Sequence, residues 1–125
     1  MPLHILGLNH NTAPVEIRER VVFTGDDVDR ALAQVTALEG VAEAVVLSTC
    51  NRTEFYVETS DGGLAALRGW LCEDQALDEQ ASESLFTLDR DAAIQHLFKV
   101  ACGLDSMVLG EPQFLGQLKD AYRHA

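Results

Sequence analysis

Three cysteines, four histidines and nine basic side chains are the groups in this 125-residue sequence from which covalent or acid–base chemistry would start. Thiol reactivity follows thiolate fraction, so the cysteine to single out is the one near positive charge and away from acids. Cys50 meets that condition: it follows the apolar run Ala44–Leu47, sits between Thr49 and Asn51, and has Arg52 two residues on. Cys72 directly precedes Glu73 and Asp74, which disfavour a further negative charge, and Cys102 falls inside a helical stretch. A cytosolic cysteine is also commonly a small buried hydrophobe, so local context leaves both readings of Cys50 open. His96 is a candidate acid, base or polarising group, and His10 another, each against the alternative of an ordinary surface histidine. Arg52 offers a planar fork for a carboxylate, or else a solvated charge.

Other chemistries find no pattern. The cysteines form neither an even disulfide framework nor a CxxC pair for zinc, so free thiols and no metal are expected. No GxGxxG occurs, and Gly110 to Gly116 has the wrong spacing for a phosphate loop and is followed by Gln117. Twenty acidic residues against nine basic give a net charge of −11, a surface that repels a phosphate backbone. The acidic run Glu73 to Glu83 reads as a solvated connector. No apolar run approaches the ~18 residues of a membrane span, and the N-terminus lacks the pattern of a secretory signal, so a cytoplasmic protein is expected.

The elements that must position these groups follow from periodicity. Leu3 to Leu8 reads as a buried strand ending near Asn9. Thr12 is placed to cap a short helix with Pro14 in its first turn, running to about Val22. Thr24 is placed to cap a second, reaching about Leu38 and stopping at Gly40. Ala44–Leu47 and Phe55–Thr59 read as strands flanking Ser48-Thr49-Cys50-Asn51-Arg52. After Gly62-Gly63 come a helix over Leu64–Cys72, the acidic connector, a fourth strand over Leu85–Leu88, and a helix capped by Asp89. In that helix Ile94, Leu97, Phe98, Ala101 and Leu104 define the buried stripe, which puts His96 about 110° from its centre, near Lys99 and Gly103. A last helical segment covers Gln113 to Ala125. This order matches the α+β, ferredoxin-like split βαβ arrangement, a sheet with helices packed on one face, in a single domain spanning 1–125.

Three stretches resemble the glutamyl-tRNA reductase family: Gly7-Leu8-Asn9-His10-Asn11-Thr12-Ala13-Pro14, Leu47-Ser48-Thr49-Cys50-Asn51-Arg52-Thr53-Glu54, and Gly103-Leu104-Asp105-Ser106-Met107-Val108-Leu109-Gly110-Glu111-Pro112-Gln113. Asn9 departs from the smaller hydroxyl residue the family often carries there. The resemblance implies that Cys50 attacks the ester of glutamyl-tRNA to give a thioester, which NADPH reduces to glutamate-1-semialdehyde, the first step of tetrapyrrole (porphyrin) biosynthesis. It further implies that His96 is the catalytic histidine and that Thr49, Arg52, Ser106, Glu111 and Gln113 bind the glutamyl group. The complete enzyme of that family adds an NADPH-binding domain and a dimerisation domain. The sequence is accordingly expected to be an excised catalytic domain with no cofactor bound, capable of acyl transfer only, while the full enzyme is a homodimer. The competing reading is a non-catalytic, ferredoxin-like module that binds a free amino acid.

Overall fold

The computed structural model describes residues 2–49, 51–60 and 62–107. Four strands, β1 (Leu3–Asn9), β2 (Val41–Ser48), β3 (Arg52–Thr59) and β4 (Phe86–Asp89), form one sheet in the order β2-β3-β1-β4 with every pairing antiparallel. This is the ferredoxin-like order expected from the sequence. Among the described residues five helices accompany them: α1 (Val15–Arg20), α2 (Asp26–Thr36), α3 (Gly63–Asp74), α4 (Glu79–Glu83) and α5 (Arg90–Met107).

Central strand β1 explains the layering. Side chains alternate across a strand, so Leu6 and Leu8 face one way and Leu3 and Ile5 the other, and all four are fully or almost fully buried. Leu6 and Leu8 pack with Val46, Phe55 and Val57 against Ile17 of α1, Ala31 and Val35 of α2, and Leu67 and Leu71 of α3. Leu3 and Ile5 pack with Leu47 and Tyr56 against Ala93, Leu97 and Val100 of α5. The expectation of helices on one face is thus corrected in one respect: α5 covers the opposite face. The reason lies in the sheet itself, which is apolar on both faces along β1 and needs two covers.

Burial of Val100 in place of Phe98, which is 50% exposed, turns α5 relative to the expected stripe. The stripe centred on Ala93, Leu97 and Val100 leaves His96 only about 70° from its middle, on the edge nearest the sheet. Two helix caps also differ. The Thr12 hydroxyl accepts the Asn9 N–H (3.0 Å) within the turn after β1, leaving α1 to start behind Pro14 without a side-chain cap. Residue Gly25, not Thr24, precedes α2, again with no side-chain cap. The acidic connector is not simply solvated, because Asp78 accepts the Ala81 N–H (2.8 Å) to start α4, and Ala81 is buried.

The base of the β2–β3 hairpin is fastened from behind. Ser48 and Thr53 face each other across it, their hydroxyls 2.8 Å apart. Thr53 donates to the Val21 carbonyl (2.6 Å), and Ser48 accepts the Phe23 N–H (3.0 Å). Both contacts tie the hairpin to the link between α1 and α2. The turn joining the strands is therefore held at its two feet by four groups, each bond contributing on the order of 1 kcal/mol.

Candidate active site

A cavity of about 610 Å³ opens where three segments meet: the turn after β1, the β2–β3 hairpin end, and α5. Asn9 to Thr12 line it from the first, Thr49, Asn51 and Arg52 from the second, and His96, Lys99 and Val100 from the third, with Phe86 and Leu88 of β4 as an apolar wall. Three of the residues singled out in the sequence, Thr49, Arg52 and His96, are thus brought to one place from 44 or more positions apart for the helix and hairpin, and His10 joins them. Ser106 lies in the last turn of α5. Cys50, Glu111 and Gln113 lie outside the described residues, as does the segment Gln113 to Ala125, though both sequence neighbours of Cys50 line the cavity. Cys72 is half-buried and Cys102 exposed, both free and neither at the cavity.

Alternation along β3 sends Arg52, Glu54 and Tyr56 to the face that α5 covers. Arg52 is accordingly the first residue of a strand and not a loop residue, which fixes its backbone through the pairing with Asn9. Glu54, which is not among the candidate residues singled out above, is the centre of the arrangement. Its side chain has no exposed surface, and four groups surround its carboxylate. His96 Nε2 lies 3.0 Å from both oxygens, and the Tyr56 hydroxyl donates to Oε1. Arg52 Nη1 and Asn9 Nδ2 each donate to Oε2 at 3.5 Å. An ionised carboxylate buried without partners would cost several kcal/mol, so the surrounding donors are what make the position tenable.

The electrostatics follow the geometry. Burial pushes the Glu54 carboxyl up, but hydrogen bonds from His96 and Tyr56 with the charges of His96 and Arg52 outweigh it, and the group sits below the usual glutamate range. Tyr56 is held well above the usual tyrosine value by burial, then by the Glu54 charge and its hydrogen bond, so it remains a donor. Arg52 and His96 retain 24% and 18% side-chain exposure, enough for each to meet a molecule in the cavity. One of arginine's five donors is directed at Glu54. Phe86 packs edge-on against the His96 ring, centroids 5.6 Å apart, and limits its rotation.

Gly7 is the residue that lets Glu54 in. A Cβ there would stand 2.5 Å from the Thr53 carbonyl oxygen and 2.8 Å from both Cα and Cγ of Glu54. Two of these atoms are backbone of the paired strand and have nowhere to go. Gly7→Ala is expected to lower stability by about 1–3 kcal/mol, read as a lower urea midpoint at unchanged slope. An unaltered midpoint would contradict the close approach.

The arrangement offers a guanidinium to a carboxylate-bearing molecule and, in His96 beside it, a ring that can take up or give a proton. Among the described residues no group of three or more His, Cys, Asp or Glu side chains gathers as a metal site, and no helix is long and apolar enough to cross a membrane.

The family described as glutamyl-tRNA(Glu) reductase, N-terminal domain, matches residues 6–125. Glutamyl-tRNA reductase from Syntrophotalea carbinolica is 51% identical over 124 residues, covering 97% of this chain and 28% of the relative. That from Marinobacter nauticus is 51% identical over 123 residues, covering 98% and 29%. Among solved structures, glutamyl-tRNA reductase from Methanopyrus kandleri superposes with a TM-score of 0.60 at 32% identity, covering 98% of this chain and 28% of that one. The chain therefore spans a little under a third of the length of the relatives it matches.

Proposed function

Because the chain belongs to the glutamyl-tRNA reductase N-terminal domain family, we propose that it is the part of such an enzyme that takes the glutamyl group from glutamyl-tRNA onto Cys50. The observation that carries this reading is the cavity, which gathers the neighbours of Cys50, the arginine and the histidine. In the proposed reaction the Cys50 thiol gives its proton to His96, and the sulfur attacks the carbonyl carbon of the ester. The S–C bond forms, the C–O bond to the ribose breaks, and the proton passes from His96 to the departing ribose oxygen. Arg52 takes the side-chain carboxylate of the glutamyl group. Thr49, Ser106, Glu111 and Gln113 complete its binding by the family resemblance.

A thiol suits the first half of a reduction. Sulfur conjugates weakly with a carbonyl, so the thioester stays more electrophilic than an oxygen ester. NADPH, bound to the full-length enzyme, would supply the hydride that releases glutamate-1-semialdehyde for tetrapyrrole biosynthesis. The described residues do not fit that cofactor: those that line the cavity, Asn9 to Thr12 with Thr49, Asn51 and Arg52 among them, include no glycine-rich strand-to-helix turn that cradles a pyrophosphate. The NADPH site and the contacts of a homodimer are assigned to the remaining two-thirds of a full-length, cytoplasmic enzyme, to which this domain contributes acyl transfer. The family match disfavours the alternative of a non-catalytic amino-acid-binding module.

The test is product analysis. Incubated with glutamyl-tRNA and NADPH, the purified chain is expected to release tRNA and yield free glutamate, as water slowly takes the acyl group from sulfur. No release of tRNA above the uncatalysed rate would contradict acyl transfer, and aldehyde formation would contradict the placement of the cofactor site.

A further inference from the structure

Glu54 is fully buried, its carboxyl is held below the usual glutamate range by the donors around it, and it faces one nitrogen of the histidine that the proposed reaction uses. A carboxylate oxygen at 3.0 Å from a ring nitrogen needs a proton between them, and an ionised carboxylate has none to give. The proton must then be on Nε2. The alternative, a protonated Glu54 donating to a bare Nε2, places an O–H among three other donors, the Tyr56 hydroxyl, Arg52 Nη1 and Asn9 Nδ2, all directed at the same two oxygens. That crowding of donors disfavours it. In the neutral ring, a proton on Nε2 leaves the lone pair on Nδ1.

We propose that Glu54 is a positioning residue that fixes His96 in its Nε2–H form, so that Nδ1 is the atom which receives and returns the proton in acyl transfer. The inference rests on the reading of His96 given above. Glu54 is fully buried and does not line the cavity, so it acts through the histidine. It holds the ring by both carboxylate oxygens while Phe86 limits its rotation, and it stabilises the ring when Nδ1 becomes charged. The same carboxylate draws Nη1 of Arg52, so one buried anion sets the direction of both the proton-transfer group and the carboxylate-binding group. Charged and titratable groups around the histidine are Glu54, Arg52 and Tyr56 from β3, Lys99 from its own helix and His10 across the cavity.

The test reads the tautomer directly. In the chain with 15N-labelled histidine near pH 8, long-range 1H–15N correlation distinguishes the protonated from the bare ring nitrogen, and loss of one spin system in His96→Asn assigns the signals. Wild type is expected to show His96 protonated on Nε2. In Glu54→Gln the amide can turn its oxygen to Tyr56 and its NH₂ to the ring, so the Nε2–H form is expected to lose its dominance. Release of tRNA should fall with it, on the order of 10²-fold. Bare Nε2 in the wild type would overturn the proposal, and so would an unchanged tautomer in a folded Glu54→Gln. Should Glu54→Gln fail to fold, the wild-type spectrum still decides. A different outcome separates the two readings: Nε2–H in the wild type with His96→Asn releasing tRNA at the wild-type rate would remove His96 from the reaction while leaving the tautomer assignment intact.

Discussion

Cys50→Ser is expected to reduce tRNA release from glutamyl-tRNA by on the order of 10³-fold or more, because loss of the group that forms the covalent bond removes a whole reaction path and not one contact within it. A serine hydroxyl is scarcely ionised near neutral pH, and removing its proton asks far more of a histidine than removing that of a thiol. Binding need not suffer, since the substitution exchanges sulfur for a smaller oxygen. Measured as single-turnover release of tRNA with enzyme in excess, the wild type should be fast and the variant indistinguishable from solvent. Cys72→Ser and Cys102→Ser should both behave as wild type, as these thiols lie away from the cavity. Equal release by wild type and Cys50→Ser would mean that the ester is hydrolysed without passing through sulfur.

The second large effect concerns substrate choice. If Arg52 receives the side-chain carboxylate of the glutamyl group, wild type should discriminate against glutaminyl-tRNA by on the order of 2–4 kcal/mol, roughly 30- to 10³-fold. The penalty exceeds that of one lost hydrogen bond because a partly desolvated guanidinium is left facing a neutral amide. Arg52→Gln should erase most of this preference, and Arg52→Lys, which keeps the charge and loses the planar fork, should fall between. Both substitutions also disturb the Nη1 contact with Glu54, which lowers both rates together. The ratio of tRNA release from the two substrates at one salt concentration cancels that shared loss. An Arg52→Gln chain with the wild-type ratio would confine the arginine to holding Glu54.

Much of this site was legible before the fold. Leu3–Leu8 and the two runs flanking Cys50 announce strands by apolar content alone, and the hairpin between them necessarily puts Thr49 and Arg52 near one another. What periodicity misjudged was the turn of α5. Apolar residues cover more than half of that helix, Ala93, Ile94, Leu97, Phe98, Val100 and Ala101 among them, so several faces qualify as the buried one. Packing against β1 and β4 selected Val100 over Phe98, and His96 turned inward with it. Glu54 was missed for a related reason. Alternating Arg52, Glu54 and Glu58 with Thr53, Phe55 and Val57 looks like a strand with one wet face. Only the second helical cover, invisible to a local pattern, makes that face an interior. Thr12 failed as a cap because its hydroxyl satisfies the turn after β1 instead of a helix end, and spacing does not distinguish the two.

Acylation of Cys50 by the glutamyl group is observable without reference to rate, by intact-mass spectrometry followed by peptide mapping. The chain is mixed with excess glutamyl-tRNA, quenched in acid to preserve a thioester, and digested. One glutamyl adduct is expected, on the peptide that contains Cys50, removable by hydroxylamine at neutral pH and missing from Cys50→Ser. An adduct on the Cys72 or Cys102 peptide, or tRNA release by the wild type with no acylated chain at any time point, would contradict it.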